Sequence, residues 1–269
     1  MKKGINLLFF FISLGGFSQE GINQIITPNE SSNQAFQDGE WFEFRLHYGI
    51  FNASYATLKV KEDTIDNVSV FHAKGYGRTT GLARWFFKVE DHYDSYFTKS
   101  HGLPLLFIRD IDEGGYAKDV EIRFDHDKNI AFVNDKKKKI KSEYSTKENV
   151  QDLISAFYFL RNFYDTSTIE VGESVGLNMF FDNENYLFRL KFLGREVIST
   201  KFGKVNTLKF RPYVQSGRVF RAQESVTLWI SDDPNKIPIK MRADLVIGAI
   251  ECDLENFKNL RHPFKIVVP

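Results

Sequence analysis

Hydrophobic and polar positions follow three regimes along the chain. In residues 1–18, Lys2 and Lys3 precede an apolar run from Ile5 to Leu14, broken by Asn6 and Ser13, and the small residues Gly16 and Ser18 close it. That is the layout of a secretory signal peptide cut after Ser18. The run is shorter than the ~20 residues a bilayer span needs. Residues 19–38 are polar and rich in Asn, Gln and Ser, the composition of a flexible leader. From residue 39 the pattern becomes periodic, and a single domain over 39–269 is expected.

The dominant period is two. Phe42 to Tyr48, Ala56 to Lys61 and Val68 to Ala73 alternate apolar with polar residues, as strands with one wet face do. Phe86 to Phe97, Leu105 to Arg109, Lys118 to Phe124 and Asn129 to Val133 continue the series, with Gly, Asp and Asn turns between them. Strand patterns resume at Ser174 and run to Glu255. Strands in uninterrupted succession point to a meander rather than to alternating strands and helices. One segment changes period: Val150, Leu153, Ile154, Phe157, Leu160 and Tyr164 recur at helical spacing. Ser145 and Glu148 have the spacing of a capping box, so an amphipathic helix is expected at about 148–163. The fold class is therefore mainly β, a strongly curved antiparallel sheet of half-barrel or β-roll type with one main helix. The two strand groups that flank the helix fit two sheets or one continuous sheet equally well.

Composition sharpens this picture in three places. Aromatic residues make up 15% of the chain, with 27 Phe and 11 Tyr, a load that suits half-buried pleated surfaces. The formal net charge is +1, whereas a nucleic-acid binder needs a concentrated basic face. Cys252 is the single cysteine. An internal disulfide is thereby excluded, and so is a lipid anchor on a cysteine after the apolar run. No later stretch is long and apolar enough to span a bilayer.

Candidate chemistry is sparse. Gly172-Glu173-Ser174-Val175-Gly176 has the letters of a nucleophile elbow, but a strand pattern follows it where the motif needs a helix. Asp125-His126-Asp127-Lys128-Asn129 opens like a calcium loop, then places Ile130 at the glycine position and Lys136 at the bidentate glutamate position. A hairpin turn is the better reading of each. His47, His72 and His92 lie on strands without metal-ligand spacing. No catalytic residue, metal site or cofactor is assigned. The carboxylates Asp91, Asp94, Asp110 and Asp112 could serve a hydrolase only if two of them faced each other across a solvent-filled cleft. Lys136 to Lys139 with Lys141 forms a basic patch that is either a solvated loop or a contact for anionic lipid headgroups.

Several segments carry a family resemblance. They are Gly39-Glu40-Trp41-Phe42-Glu43-Phe44, Glu90-Asp91-His92-Tyr93-Asp94-Ser95-Tyr96-Phe97, the stretch Gln151-Asp152-Leu153-Ile154-Ser155-Ala156-Phe157-Tyr158, and Trp229-Ile230-Ser231-Asp232-Asp233 with Ile237-Pro238. Over about residues 39–255 the chain resembles the bacterial domain-of-unknown-function 3108 family of exported proteins. That resemblance implies no catalytic residues. Its strand pattern is similar to that of periplasmic half-barrels, in which a curved sheet wraps an apolar cavity and a helix covers the mouth. The expected function is non-enzymatic binding of an apolar or lipid-like ligand on the concave face by an exported envelope protein. Asp91, Asp94, Arg161 and Trp229 are its ligand-binding candidates. The alternatives are an assembly module that docks another envelope protein and, more weakly, a carboxylate-dependent hydrolase. The aromatic rings either leave a concave cavity open or simply fill it. Asp152 is expected in the first turn of the helix, where a negative charge suits the dipole.

Overall fold

A computed structural model describes residues 22–28, 34–81, 84, 88–215 and 226–268; the expected signal peptide lies outside them. The chain forms one antiparallel meander interrupted by a helix. Its first part comprises β1 (Gln24–Ile25), β2 (Trp41–Tyr48), β3 (Phe51–Ile65), β4 (Val68–Thr79), β5 (Val89–Thr98), β6 (Pro104–Glu113), β7 (Tyr116–Asp125), β8 (Ile130–Asp135) and β9 (Ile140–Ser145). After helix α1 (Leu153–Phe163) come β10 (Ser174–Phe181), β11 (Glu184–Thr200), β12 (Gly203–Gln215), β13 (Val226–Ser231), β14 (Pro238–Asp244) and β15 (Ala249–Lys258). The two strand groups join through the β15–β2 pair, so all fifteen strands belong to one sheet.

Alternation gives this sheet an inside and an outside. Val60, Ala73, Ser95, Phe107, Ile122 and Val133 are successive register partners across six strands. All six are buried. Each large apolar side chain so removed from water contributes about 1.5–3 kcal/mol. The sheet curls until its two halves meet along a seam. There Gln151 forms a parallel bridge with Met179, its N–H donating to the Asn178 carbonyl (2.8 Å) and its carbonyl accepting from Phe180 N–H (2.9 Å). Asn185 staples the same seam, its amide donating to the Ser145 carbonyl and its Oδ1 accepting from Lys147 N–H.

The helix fills the space so enclosed. Leu153 and Ile154 pack with the β5–β8 side chains, and Phe157 and Tyr158 with those of β2–β5. Phe159 and Phe163 pack against β10–β12, and Ala156 against Leu177 and Met179 of β10. The rings are thus a packed core around a central helix. The expected cavity with a helix over its mouth is replaced by a helix inside the wall.

The helix also starts later than its periodicity predicts. Asn149 has a left-handed φ of 52°, and Gln151 is committed to the seam. The capping box belongs to Asp152 and Ser155: Asp152 Oδ1 accepts from Ile154 N–H and Ser155 N–H (both 2.7 Å), and Ser155 Oγ accepts from Asp152 N–H (2.9 Å). Asp152 is therefore the N-cap. Part of the stretch expected as a flexible leader is built into the fold. β1 pairs in parallel with β10, and Ile26, Ala35 and Phe36 are buried in the core.

Candidate functional site

Up-and-down connectivity sends alternate turns to opposite ends of the wall. The turns at 66–67, 99–103, 126–129, 201–202 and 232–237 share one end, the base; those at 49–50, 114–115, 136–139, 182–183 and 245–248 share the other, the rim.

The base is cross-braced around Arg161. Its guanidinium donates to both oxygens of Glu40 (2.6 and 2.8 Å) and to the carbonyls of Asn235 (2.9 Å) and Ala35 (3.2 Å). The rings of Phe36, Phe42, Phe157 and Tyr158 surround it at 5.1–5.6 Å. Arg161 and Glu40 are both buried, so this candidate is a structural tie between the N-terminal stretch, β2, α1 and the 232–237 turn. Asn235 also exchanges two hydrogen bonds with the backbone of His262. Lys236 donates to the Tyr164 carbonyl that ends the helix, and burial lowers its pKa to about 8.

The rim has another chemistry. Its β2–β3 tip presents Ile50 (90% exposed) and Phe51 (69%), and the adjoining β14–β15 tip presents Val246 and Ile247, both exposed. The two tips are tied by Tyr48 Oη, which donates to the Ile247 carbonyl (3.0 Å). Gly248 makes this approach feasible. Its φ is +74°, and a Cβ there would lie 2.7 Å from the Tyr48 hydroxyl. Tyr116 on the β6–β7 tip and Ile140 on the β8–β9 tip are exposed as well. Lys136 is held by Asp119 and Glu121, and Lys138 by Asp135. Among the described residues, Lys137, Lys139 and Lys141 are exposed and take part in no ion pair.

Beneath the rim, the inner face carries a buried polar cluster. Asp91 and Glu113 are almost completely buried, with Arg109 and Tyr93 beside them. Glu113 is pushed up to about 8, by burial first and then by Asp91; burial also raises Asp91. Two carboxyls this close and this dry hold a proton between them at neutral pH. Arg109 reaches across the interior to Asp182 (2.7 Å), which also pairs with Lys118, and its guanidinium lies 4.6 Å from the Phe181 ring.

The sequence-derived candidates therefore separate. Asp91 points inward and is buried. Asp94 points outward, paired with His72 (2.5 Å) and Lys74. Asp110 and Asp112 are register partners of His92 and Glu90 on the same outer face. These four carboxylates do not meet across a cleft. Trp229 lies on the outer face of β13, donates Nε1–H to Glu196 (3.0 Å) and has Lys209 over its ring. It borders an open cleft of about 430 Å³ with Thr227, Lys240, Arg242 and Glu251. His47 pairs with Asp253, and His92 packs on Tyr76, so neither joins His72. Ser174 opens β10 with no helix behind it, and Asp125 to Asn129 is a hairpin turn in which Lys128 pairs with Asp125. Among the described residues, no three His, Cys, Asp or Glu side chains are placed to hold a metal ion, and no helix is long and apolar enough to cross a membrane.

In the sequence Glu113 groups with Asp110 and Asp112 as three carboxylates before Gly114-Gly115, yet it keeps the inward phase of Phe107, Arg109 and Ile111. Register across β5–β6 was needed to set it beside Asp91.

A solved structure shares this architecture. A β-barrel-like protein from Brucella abortus, of domain of unknown function DUF1849, matches with a TM-score of 0.55 at 8% identity, over 84% of this chain and 100% of that one. A protein from Parabacteroides distasonis described as a lipoprotein matches with a TM-score of 0.32 at 10% identity, over 87% of this chain and 99% of that one. A protein from Bacteroides fragilis described as exported, with a YmcC-like fold, has the same TM-score and identity, over 87% and 98%. Comparison with curated proteins finds no match. A family model, described as "Protein of unknown function (DUF3108)", matches residues 43–255, and the chain belongs to that family.

Proposed function

We propose that this protein is an exported, non-enzymatic binding module of the cell envelope that meets an apolar partner through its rim. Export rests on the layout of residues 1–18. The observation that carries the binding reading is a contrast of occupancy. The concave face holds the chain's own helix, while Ile50, Phe51, Val246 and Ile247 stand exposed on two tied tips. An apolar ligand on the concave face would have to displace a helix whose Ser155, Ala156, Tyr158, Phe159, Arg161 and Phe163 are buried against the wall. A hydrolytic reading finds no support in the carboxylates, since Asp91 and Glu113 face a dry interior and the others face outward.

A photo-crosslinking residue at position 50 or 246, compared with one at base position 68, tests the proposal in the native envelope. Crosslinks to lipid or to a discrete protein are expected from the rim positions and not from the base. Equal crosslinking from both ends would remove the proposal. So would native mass spectrometry showing one tightly held apolar molecule that survives loss of the rim side chains.

A further inference from the structure

We infer that the partner met by the rim is an anionic lipid surface; this rests on the rim reading above. The first ground is the distribution of the apolar groups. They are spread over separate hairpin tips, Ile50 and Phe51, Val246 and Ile247, Tyr116, and Ile140, along one end of the curled sheet. A protein partner's groove takes one contiguous ridge, whereas tips spread along that end are met together by a broad, deformable surface. Shallow insertion of such side chains is how interfacial proteins gain apolar contact without spanning a bilayer.

The second ground is charge. The β8–β9 tip sets exposed Ile140 between Lys139 and Lys141, with Lys137 beside them, and none of the three lysines is neutralised by an acid among the described residues. Lys136 and Lys138 of the same run are neutralised, by Asp119, Glu121 and Asp135. The turn thus exposes three uncompensated cations flanking an apolar side chain, which matches an anionic headgroup layer above hydrocarbon. At the base, the β3–β4 and β7–β8 turns are instead built on Asp66-Asn67 and on Asp127 to Asn129, and Lys99 and Lys201 of the other turns are paired with Glu62 and Glu255.

The test is co-sedimentation of the protein, as recovered from the cell after any N-terminal processing, with phosphatidylcholine vesicles and with vesicles containing phosphatidylglycerol. Binding is expected to the anionic vesicles and to weaken with salt. The triple variant Lys137→Gln, Lys139→Gln, Lys141→Gln should lose about a hundredfold in partition coefficient, the sum of three lysines acting near a charged surface. Val246→Ser with Ile247→Ser should weaken binding on both vesicle types, with an unchanged thermal transition showing that the variants fold. Binding that ignores both sets of substitutions overturns the inference, as does failure to bind anionic vesicles. In the latter case, protein crosslinks from position 50 would leave the rim reading standing with a protein as partner; no rim crosslinks at all would remove both.

Discussion

The two ends of this wall are made from the same meander, yet they are opposites. At the base, a buried arginine is held by one carboxylate and two carbonyls, and it joins the helix to the 35–40 stretch and to the 232–237 turn. The C-terminal residues are drawn in as well, through His262 on Asn235 and through Val267 N–H on the Lys204 carbonyl. At the rim, apolar side chains and uncompensated lysines face solvent, and the charge inside is a pair of carboxyls that retain a proton. The base is thus tied together by its buried ion pair, and the rim is the end proposed above to meet a partner. The helix divides these roles: its C-terminal half packs into the braced end, and its cap reaches the β5 strand that carries Asp91.

The contrast can be broken most strongly at the base. Arg161→Ala leaves Glu40 buried without its partner and should cost about 3–5 kcal/mol, read as a lowered urea midpoint. A loss below about 1 kcal/mol would show that the base is not the braced end. Next in size, Asp152→Ala removes the acceptor for two helix N–H groups and for Ser95 Oγ. It should cost about 1–2 kcal/mol, and Asp152→Asn should recover most of that. A full-length helix signal with an unchanged melting point would refute the capping role.

The rim's interior gives a pH signature. Folded Glu113 keeps its proton to about 8, whereas an ordinary glutamate releases it near 4.5. Between those limits the folded state binds more protons than the unfolded one, so stability falls as pH rises through this window. Thermal melts across the range should show the decline, and Glu113→Gln should flatten it. A wild-type profile that rises instead would place the proton elsewhere. The smallest effect belongs to the tips: Ile50→Ser and Val246→Ser should shift unfolding free energy by no more than about 0.5 kcal/mol, as exposed substitutions do. A larger loss in chemical denaturation would mean that the tips brace the fold.

Much of the fold could be read from the chain because alternation is local. Phe42 to Tyr48 and Ala56 to Lys61 alternate by themselves, whereas the all-apolar Ile130 to Val133 has its faces set only by pairing, which exposes Phe132 and buries Ala131 and Val133. The start of the helix was less legible. Two capping pairs, Ser145 with Glu148 and Asp152 with Ser155, compete, and the left-handed turn at Asn149 that decides between them is a tertiary outcome. The position of the helix left a usable signal. Leu153-Ile154-Ser155-Ala156-Phe157-Tyr158-Phe159-Leu160 is apolar nearly all round, the mark of a helix surrounded by protein rather than laid over a face. The rim could not be read from sequence alone, because Ile50, Ile140 and Val246 are ordinary turn neighbours until strand order places them at one end. Family membership and curved β class were legible from spaced segments such as Trp229 to Asp233.

The pairing of β1 with β10 has a consequence for how the chain comes together. Gln24 and Ile25 are among the earliest described residues, and their partners Val175 and Gly176 lie some 150 positions later. β2 likewise waits for β15. A polypeptide made N-terminus first completes the β1–β10 ladder only after residue 181, and the β2–β15 ladder only after residue 258 of its 269. Such remote pairings slow folding, and here they leave β1 and one edge of β2 without a partner until β10 and β15 are in place.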